Sequence, residues 1–160
     1  MKRRFIPVFL VIAIANVLYF VVFNHKQLPL DKTVLYDEQN QVVTPDKYKN
    51  TVRIFSFFQT WCGDCRREMD DLKKLQLRFN GQLKIIMISD ESFGLVNEMK
   101  RYLNVEFIFL RSETKLKEMG IRRYPTTFLL DKDGKVILVK KEGKDWYSEK
   151  MINKMEQLLR

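Results

Sequence analysis

The stretch "VRIFSFFQTWCGDCRREM", residues 52–69, decides how the chain is read. Its first half, Val52–Phe58, is β-branched and aromatic, the composition of a buried central strand. Its second half is helical: Cys65, Met69, Leu72, Gln76 and Phe79 form one stripe, with Arg66, Arg67, Lys73 and Lys74 largely off it. Asn80-Gly81 is the stop signal. The strand ends just before Cys62, so Cys62 falls at a helix N-terminus and Cys65 one turn further in. There the unpaired N–H groups and the helix dipole favour a thiolate at Cys62. Cys65 is the less exposed partner, placed to resolve a mixed disulfide.

These are the only two cysteines of 160 residues, and there is one histidine. A structural zinc ion needs about four ligands, which this chain does not supply, so no metal is expected. Haem attachment requires His after the second cysteine, and Arg66 stands there. Two inert buried thiols are the plain alternative. Their position at a strand-to-helix junction argues for redox use. Gly63 is expected to allow a tight turn and to leave room for a partner, and Trp61 to shield one side of the pair. Asp64 opposes thiolate formation by like charge, although Arg66 and Arg67 oppose it in turn. A less acidic Cys62 and a more reducing couple follow.

Outward from this segment, Val34–Tyr36 and Val42–Val43 form a small hairpin. "LKIIMIS", 83–89, and "VEFIFL", 105–110, are strands. Asp90 or Ser92 caps a helix near 93–103 whose apolar residues are Phe93, Val96, Met99, Tyr102 and Leu103. "SETKLKEMG" reads as a short helix, "TTFLLDKDGKVILVKK" as a hairpin about Asp133-Gly134, and the end of the chain as a helix bearing Met151, Ile152, Met155, Leu158 and Leu159. Strands alternating with helices predict an α/β domain, parallel pairing with helices on both faces, and a mixed sheet because of the hairpins.

The chain's net charge of +9 is partly terminal, since Lys2, Arg3, Arg4 and Lys26 precede residue 30 without an acid. The rest is interspersed, with no clustered basic face, so no nucleic-acid partner is expected. Phe5 to Phe23 carries no charge and at ~1.5 Å per residue spans roughly 28 Å, the thickness of a bilayer core. Ala13-Ile14-Ala15 resembles a signal-peptide cleavage site. However, the apolar run continues beyond it, which favours an uncleaved single-pass anchor over residues 1–24. Lys2-Arg3-Arg4 holds the N-terminus cytoplasmic, a tether covers 25–33, and the domain at 34–160 lies outside.

The active-site stretch resembles that of the thioredoxin superfamily, and more closely the TlpA/ResA type of membrane-anchored thiol–disulfide oxidoreductase. "WCGDCRRE" matches a W-C-x-x-C-[RK]-x-E pattern. "MGIRRYPTTFLLDKDGKVI" matches the family's proline-threonine segment, and the helix near 93–103 matches its insertion. The resemblance implies a thioredoxin-like fold, Cys62 as nucleophile and Cys65 as resolving thiol. It implies a cis-proline at Pro125, with Tyr124 and Thr126 in a loop that binds the substrate's backbone. Glu68 would be a carboxylate serving the pair. Its rival reading is a first-turn acid that complements the helix dipole. Plain thioredoxin carries a buried Asp where this chain has Ser56, so a proton acceptor for Cys65 must be Glu68 or water. The implied partners are a protein disulfide substrate and a transmembrane thiol electron donor. No cofactor is implied, and a monomer is expected. A thiol peroxidase would need a T-x-x-C approach, and Gln59 occupies that threonine's place. A redox-inactive binding module using the Pro125 loop is the non-enzymatic alternative.

Overall fold

The computed structural model describes Ile12, residues 27–143 and residues 145–160. The expected anchor over 1–24 otherwise lies outside the described residues. Among these, no helix is long and apolar enough to cross a membrane.

Seven strands form one mixed sheet: β1 (Leu35–Tyr36), β2 (Val42–Val43), β3 (Val52–Phe57), β4 (Leu83–Ser89), β5 (Ile108–Ser112), β6 (Thr126–Leu130) and β7 (Val136–Lys141). Their order is β2-β1-β5-β4-β3-β6-β7. β3, β4 and β5 run parallel, and the outer strands join antiparallel. Among the described residues from 27 onward, the α-helices are α1 (Gly63–Phe79), α2 (Phe93–Leu103) and α3 (Glu149–Leu159). Every residue of β3 is buried, as its β-branched and aromatic composition predicts for a strand covered on both faces, and the two polar members, Arg53 and Ser56, are buried with the rest.

The strand's period of two sorts its side chains into two cores. Val52 and Ile54 join α1, α2 and α3 in one cluster, through Met69, Leu72, Leu75, Val96, Met99, Met151 and Met155. Phe55 and Phe57 face the other, with Ile86, Ile88, Leu110 and Phe128. Among the described residues, that second face is covered by Leu30, Leu116, Met119 and Ile121 and by no α-helix residue. Helices on both faces were expected, and the arrangement corrects this. The crossovers β3–α1–β4 and β4–α2–β5 step the same way across the sheet, and crossovers of one hand then deliver both helices to one side.

Smaller differences have local causes. Ser112 ends β5, and "SETKLKEMG" makes turns around Lys115–Gly120 rather than a serine-capped helix. Its Leu116 N–H is taken by Asp90 Oδ2 at 3.1 Å, and Ser112 Oγ donates to Thr114 O at 2.6 Å. Asp90, with Thr33 Oγ1 on the Thr114 N–H at 3.1 Å, thus takes N–H groups of the kind a cap would serve, while the Ser112 hydroxyl turns to a carbonyl instead. Leu75, not Gln76, continues the buried stripe of α1. Tyr102 is exposed. Part of the stretch read as a tether packs on the sheet: Leu30 is buried and Thr33 Oγ1 lies 2.8 Å from Ser112 Oγ.

Candidate active site

β3 delivers the chain to the head of α1 through residues 58–62. Two acids after β4 hold this approach. Asp90 Oδ1 accepts from Gln59 Nε2 at 2.6 Å. Glu91 takes the Thr60 N–H and hydroxyl at 2.6 and 2.8 Å. Reading the sequence missed both residues as supports, because Asp90 served equally well as a helix cap.

Cys62 is the N-cap of α1, and its Sγ accepts the Cys65 N–H at 3.2 Å. The two cysteines form a disulfide with Cα atoms 5.3 Å apart. Cys62 is 7% and Cys65 1% exposed, an asymmetry suited to one attacking and one resolving sulfur. Gly63 lies in the helix itself, and a Cβ there would meet only Arg67 Nη1 at 3.9 Å. A tight turn is therefore not its role; its bareness leaves the helix head open. Trp61 is 68% exposed, and its ring meets the Tyr124 ring edge-on at 5.9 Å. It stands out toward solvent rather than closing over the disulfide. Asp64 pairs with Arg67 at the surface, which offsets the carboxylate's field at the thiols.

The Tyr124–Pro125 peptide is cis. Thr126 follows at the head of β6, in register with Phe57 at the end of β3, so the loop shares the cysteine end of the sheet. Tyr124 packs against the cluster that contains Cys62 and Cys65. Pro125 O accepts the Glu142 N–H at 2.8 Å.

Glu68 is 3% exposed and is the sixth residue of α1, past the first turn, whose acid is Asp64; this counts against the reading as a first-turn acid that complements the helix dipole. Three residues after Cys65, it turns inward to the sheet. Oε1 accepts from Ser56 Oγ at 2.9 Å and from Thr127 Oγ1 at 2.6 Å. Oε2 accepts from Trp146 Nε1 at 2.8 Å. Burial pushes its pKa above the ordinary carboxylate range, and the three donors, with Lys140 beyond them, hold it back only in part. Ser56, the place of a missing Asp, thus bears a donor aimed at a carboxylate supplied from the helix. Ser56 was legible as a departure. Thr127 and Trp146 gave no local signal. Gly143 is a further unforeseen neighbour: its φ is +57°, and a Cβ there would press within 3.1 Å of Asp64 Cβ and O. Among the described residues no three Cys, His, Asp or Glu side chains gather as metal ligands.

This geometry agrees with what the chain is similar to. The profile of the Redoxin family matches residues 24–159. "Thiol-disulfide oxidoreductase ResA" of Bacillus thuringiensis subsp. konkukian (strain 97-27) is 30% identical over 108 residues, 65% of this chain and 62% of that protein. ResA of Bacillus subtilis (strain 168) is 24% identical over 146 residues, 86% and 82% of the two chains. The chain thus spans less than two thirds of the Bacillus thuringiensis relative's length. Among solved structures, the thioredoxin domain of a thiol-disulfide oxidoreductase from Bacteroides vulgatus superposes with a TM-score of 0.66 at 19% identity, covering 80% of this chain and 92% of that one. At that identity the likeness carries the thioredoxin-like fold. Fold, cysteine placement and sequence likeness agree, and the chain belongs to the Redoxin family as a thioredoxin-superfamily protein of the TlpA/ResA type.

Proposed function

We propose that the protein is a thiol–disulfide oxidoreductase that reduces protein disulfides outside the cytoplasmic membrane, tethered by residues 1–24. The observation that carries the reading is the Cys62–Cys65 disulfide at the head of α1, one turn above a buried, side-chain-bonded Glu68. Its relatives' names support the same chemistry. The uncharged run Phe5–Phe23 behind Lys2-Arg3-Arg4 supports the tether and its direction. The domain is then 34–160 together with the packed end of the 25–33 stretch, Leu28 to Thr33, and the few residues before Leu28 link it to the anchor.

The geometry supports the following cycle. A transmembrane thiol donor passes two electrons to the pair, leaving Cys62 as thiolate and Cys65 as thiol. Cys62 Sγ attacks one sulfur of the target disulfide. The other target sulfur leaves with the electron pair and takes up a proton. The Cys65 thiol gives its proton to Glu68, and Cys65 Sγ attacks Cys62 Sγ. The Cys62–target bond breaks, the second target sulfur leaves as thiolate and is protonated, Glu68 gives up its proton to solvent, and the pair is again the observed disulfide. Two electrons have moved to the target. Trp61, Gly63 and Asp64 border the reacting sulfur, and Tyr124, Pro125 and Thr126 offer backbone to the target's chain. The disulfide of an apocytochrome c, reduced to thiols before haem attachment, is a target of the right kind. Reduction is favoured over oxidation because oxidants use a strongly acidic nucleophile, and Asp64 works against one.

The test is capture by the full-length chain bearing Cys65→Ser. A mixed disulfide at Cys62 with a disulfide-containing protein is expected. A folded chain that traps nothing, and whose unmutated form reduces no insulin disulfide, would leave only the binding module.

A further inference from the structure

The loop from β7 to α3 touches three separate parts of the site. Glu142 N–H reaches Pro125 O, Gly143 lies against Asp64, and the indole of Trp146 reaches Glu68. Trp146 is fully buried. Its backbone N–H donates to Asp71 Oδ2 at 3.2 Å, so it is anchored to α1 at two points, one on each side of a helical turn. Lys140 Nζ sits 4.6 Å from its ring and donates to Asp145 O. The indole N–H is thus aimed by its surroundings and by its own backbone.

The two oxygens of Glu68 are served differently. Oε1 has two hydroxyl donors, Ser56 and Thr127, from adjacent strands. Those hydroxyls are also 2.8 Å from each other, so either can rotate to serve the other. Oε2 has the indole alone among the bonds of the described residues. An indole nitrogen is a donor only, and so it bonds well to an ionised carboxylate oxygen.

We propose that Trp146 is a positioning residue of the thiol–disulfide reaction, holding Oε2 of Glu68 so that the carboxyl one turn below Cys65 can take the Cys65 proton. The proposal rests on the oxidoreductase reading above. The charged and titratable groups around Glu68 are Lys140 on β7, beyond the indole, and Cys65 and Asp71 on its own helix. β3 and β6 present only the Ser56 and Thr127 hydroxyls, and the residues α2 and α3 bury in this core, Val96, Met99, Met151 and Met155, carry no charge. Removing a donor to the ionised form makes that form harder to reach.

The experiment measures insulin-disulfide reduction by the full-length chain across pH, for the unmutated protein, Trp146→Phe, Glu68→Gln and the double variant. In Trp146→Phe the acid limb of the rate profile is expected to move up by about one pH unit, with rates converging above it. Glu68→Gln should lack the limb, and Trp146→Phe should move nothing in that background. A uniform fall at all pH values, or an unmoved limb in a working enzyme, overturns the role of Trp146 alone. An unmutated chain that reduces no insulin at any pH overturns the oxidoreductase reading instead. Should Trp146→Phe fail to fold, the indole 15N–1H resonance of Trp146 in the unmutated chain decides. It should titrate with a single midpoint that Glu68→Gln abolishes, and a flat resonance overturns the proposal.

Discussion

β3 has a buried charge near each end, and the two are handled in opposite ways. Arg53, 5% exposed, gives Nη1 to the carbonyls of Tyr48, Thr51 and Asp131 at 3.1, 3.0 and 3.4 Å. It lies so close under the β6–β7 turn that a Cβ on Gly134, at φ +89°, would come within 2.8 Å of Nη2. At the cysteine end, Ser56 and two distant side chains hold Glu68. Burial lowers the Arg53 pKa, against the pull of Asp131 and Asp46, yet a guanidinium stays charged at any ordinary pH. Its partners are backbone dipoles that cannot titrate. Glu68 has side-chain donors and a pKa already pushed upward. A charge that never changes, bonded to groups that never change, is a structural pin. A carboxyl pushed toward its neutral form is suited to accept a proton, the role proposed for Glu68.

The largest effect belongs to the attacking sulfur: Cys62→Ser should abolish insulin-disulfide reduction, a loss of more than about 1000-fold in a turnover assay. Next, Glu68→Gln should slow turnover by about 100-fold while Cys62 still forms a mixed disulfide in single-turnover trapping. If trapping fell equally, Glu68 would not act through Cys65. At the other end, Arg53→Met should leave turnover per folded molecule essentially intact but cost about 2–4 kcal/mol in urea denaturation, since three carbonyls lose their donor. A large catalytic loss without a stability loss would erase the contrast.

A subtler test lies in stability against pH. Glu68 has a folded pKa raised above its ordinary 4.5, so the folded state holds its proton more tightly than the unfolded chain does. Its contribution is fully present below about 4.5 and is lost as pH rises through the raised folded value. The oxidised protein should therefore lose stability over that window relative to Glu68→Gln, whereas Arg53→Met should run parallel to the unmutated chain. Superimposable slopes for the Glu68→Gln and unmutated proteins would contradict the burial argument. The smallest effect is expected at Asp64. Because it pairs with Arg67 at the surface, Asp64→Asn should change the potential of the couple by about 20 mV or less. A rise is the expected direction, and equilibration with glutathione would show it.

Much of the fold was legible locally. The run 52–57, the strand 83–89, the helix 93–103 and the hairpin at Asp133-Gly134 recur in the structure close to where periodicity and turn chemistry put them. Those signals are carried by neighbours in the chain, which is why they survive without tertiary information. The C-x-x-C at a strand-to-helix junction was legible for the same reason, and the resemblance supplied Pro125. The sidedness of the helices was not legible, because it depends on the order β5-β4-β3, and strand order leaves no mark on a strand's own sequence. Glu68 shows the limit most clearly. In the chain it was a first-turn acid with two equal readings.

The local pattern of residues specifies a sulfur pair, its helix and the elements that carry it. The surroundings of the carboxylate beside that pair come from the folded chain. Its donors lie 12, 59 and 78 residues away. Hydrogen bonding and desolvation act through space, and nothing in a local pattern records which distant hydroxyl or indole folding brings to a buried carboxyl.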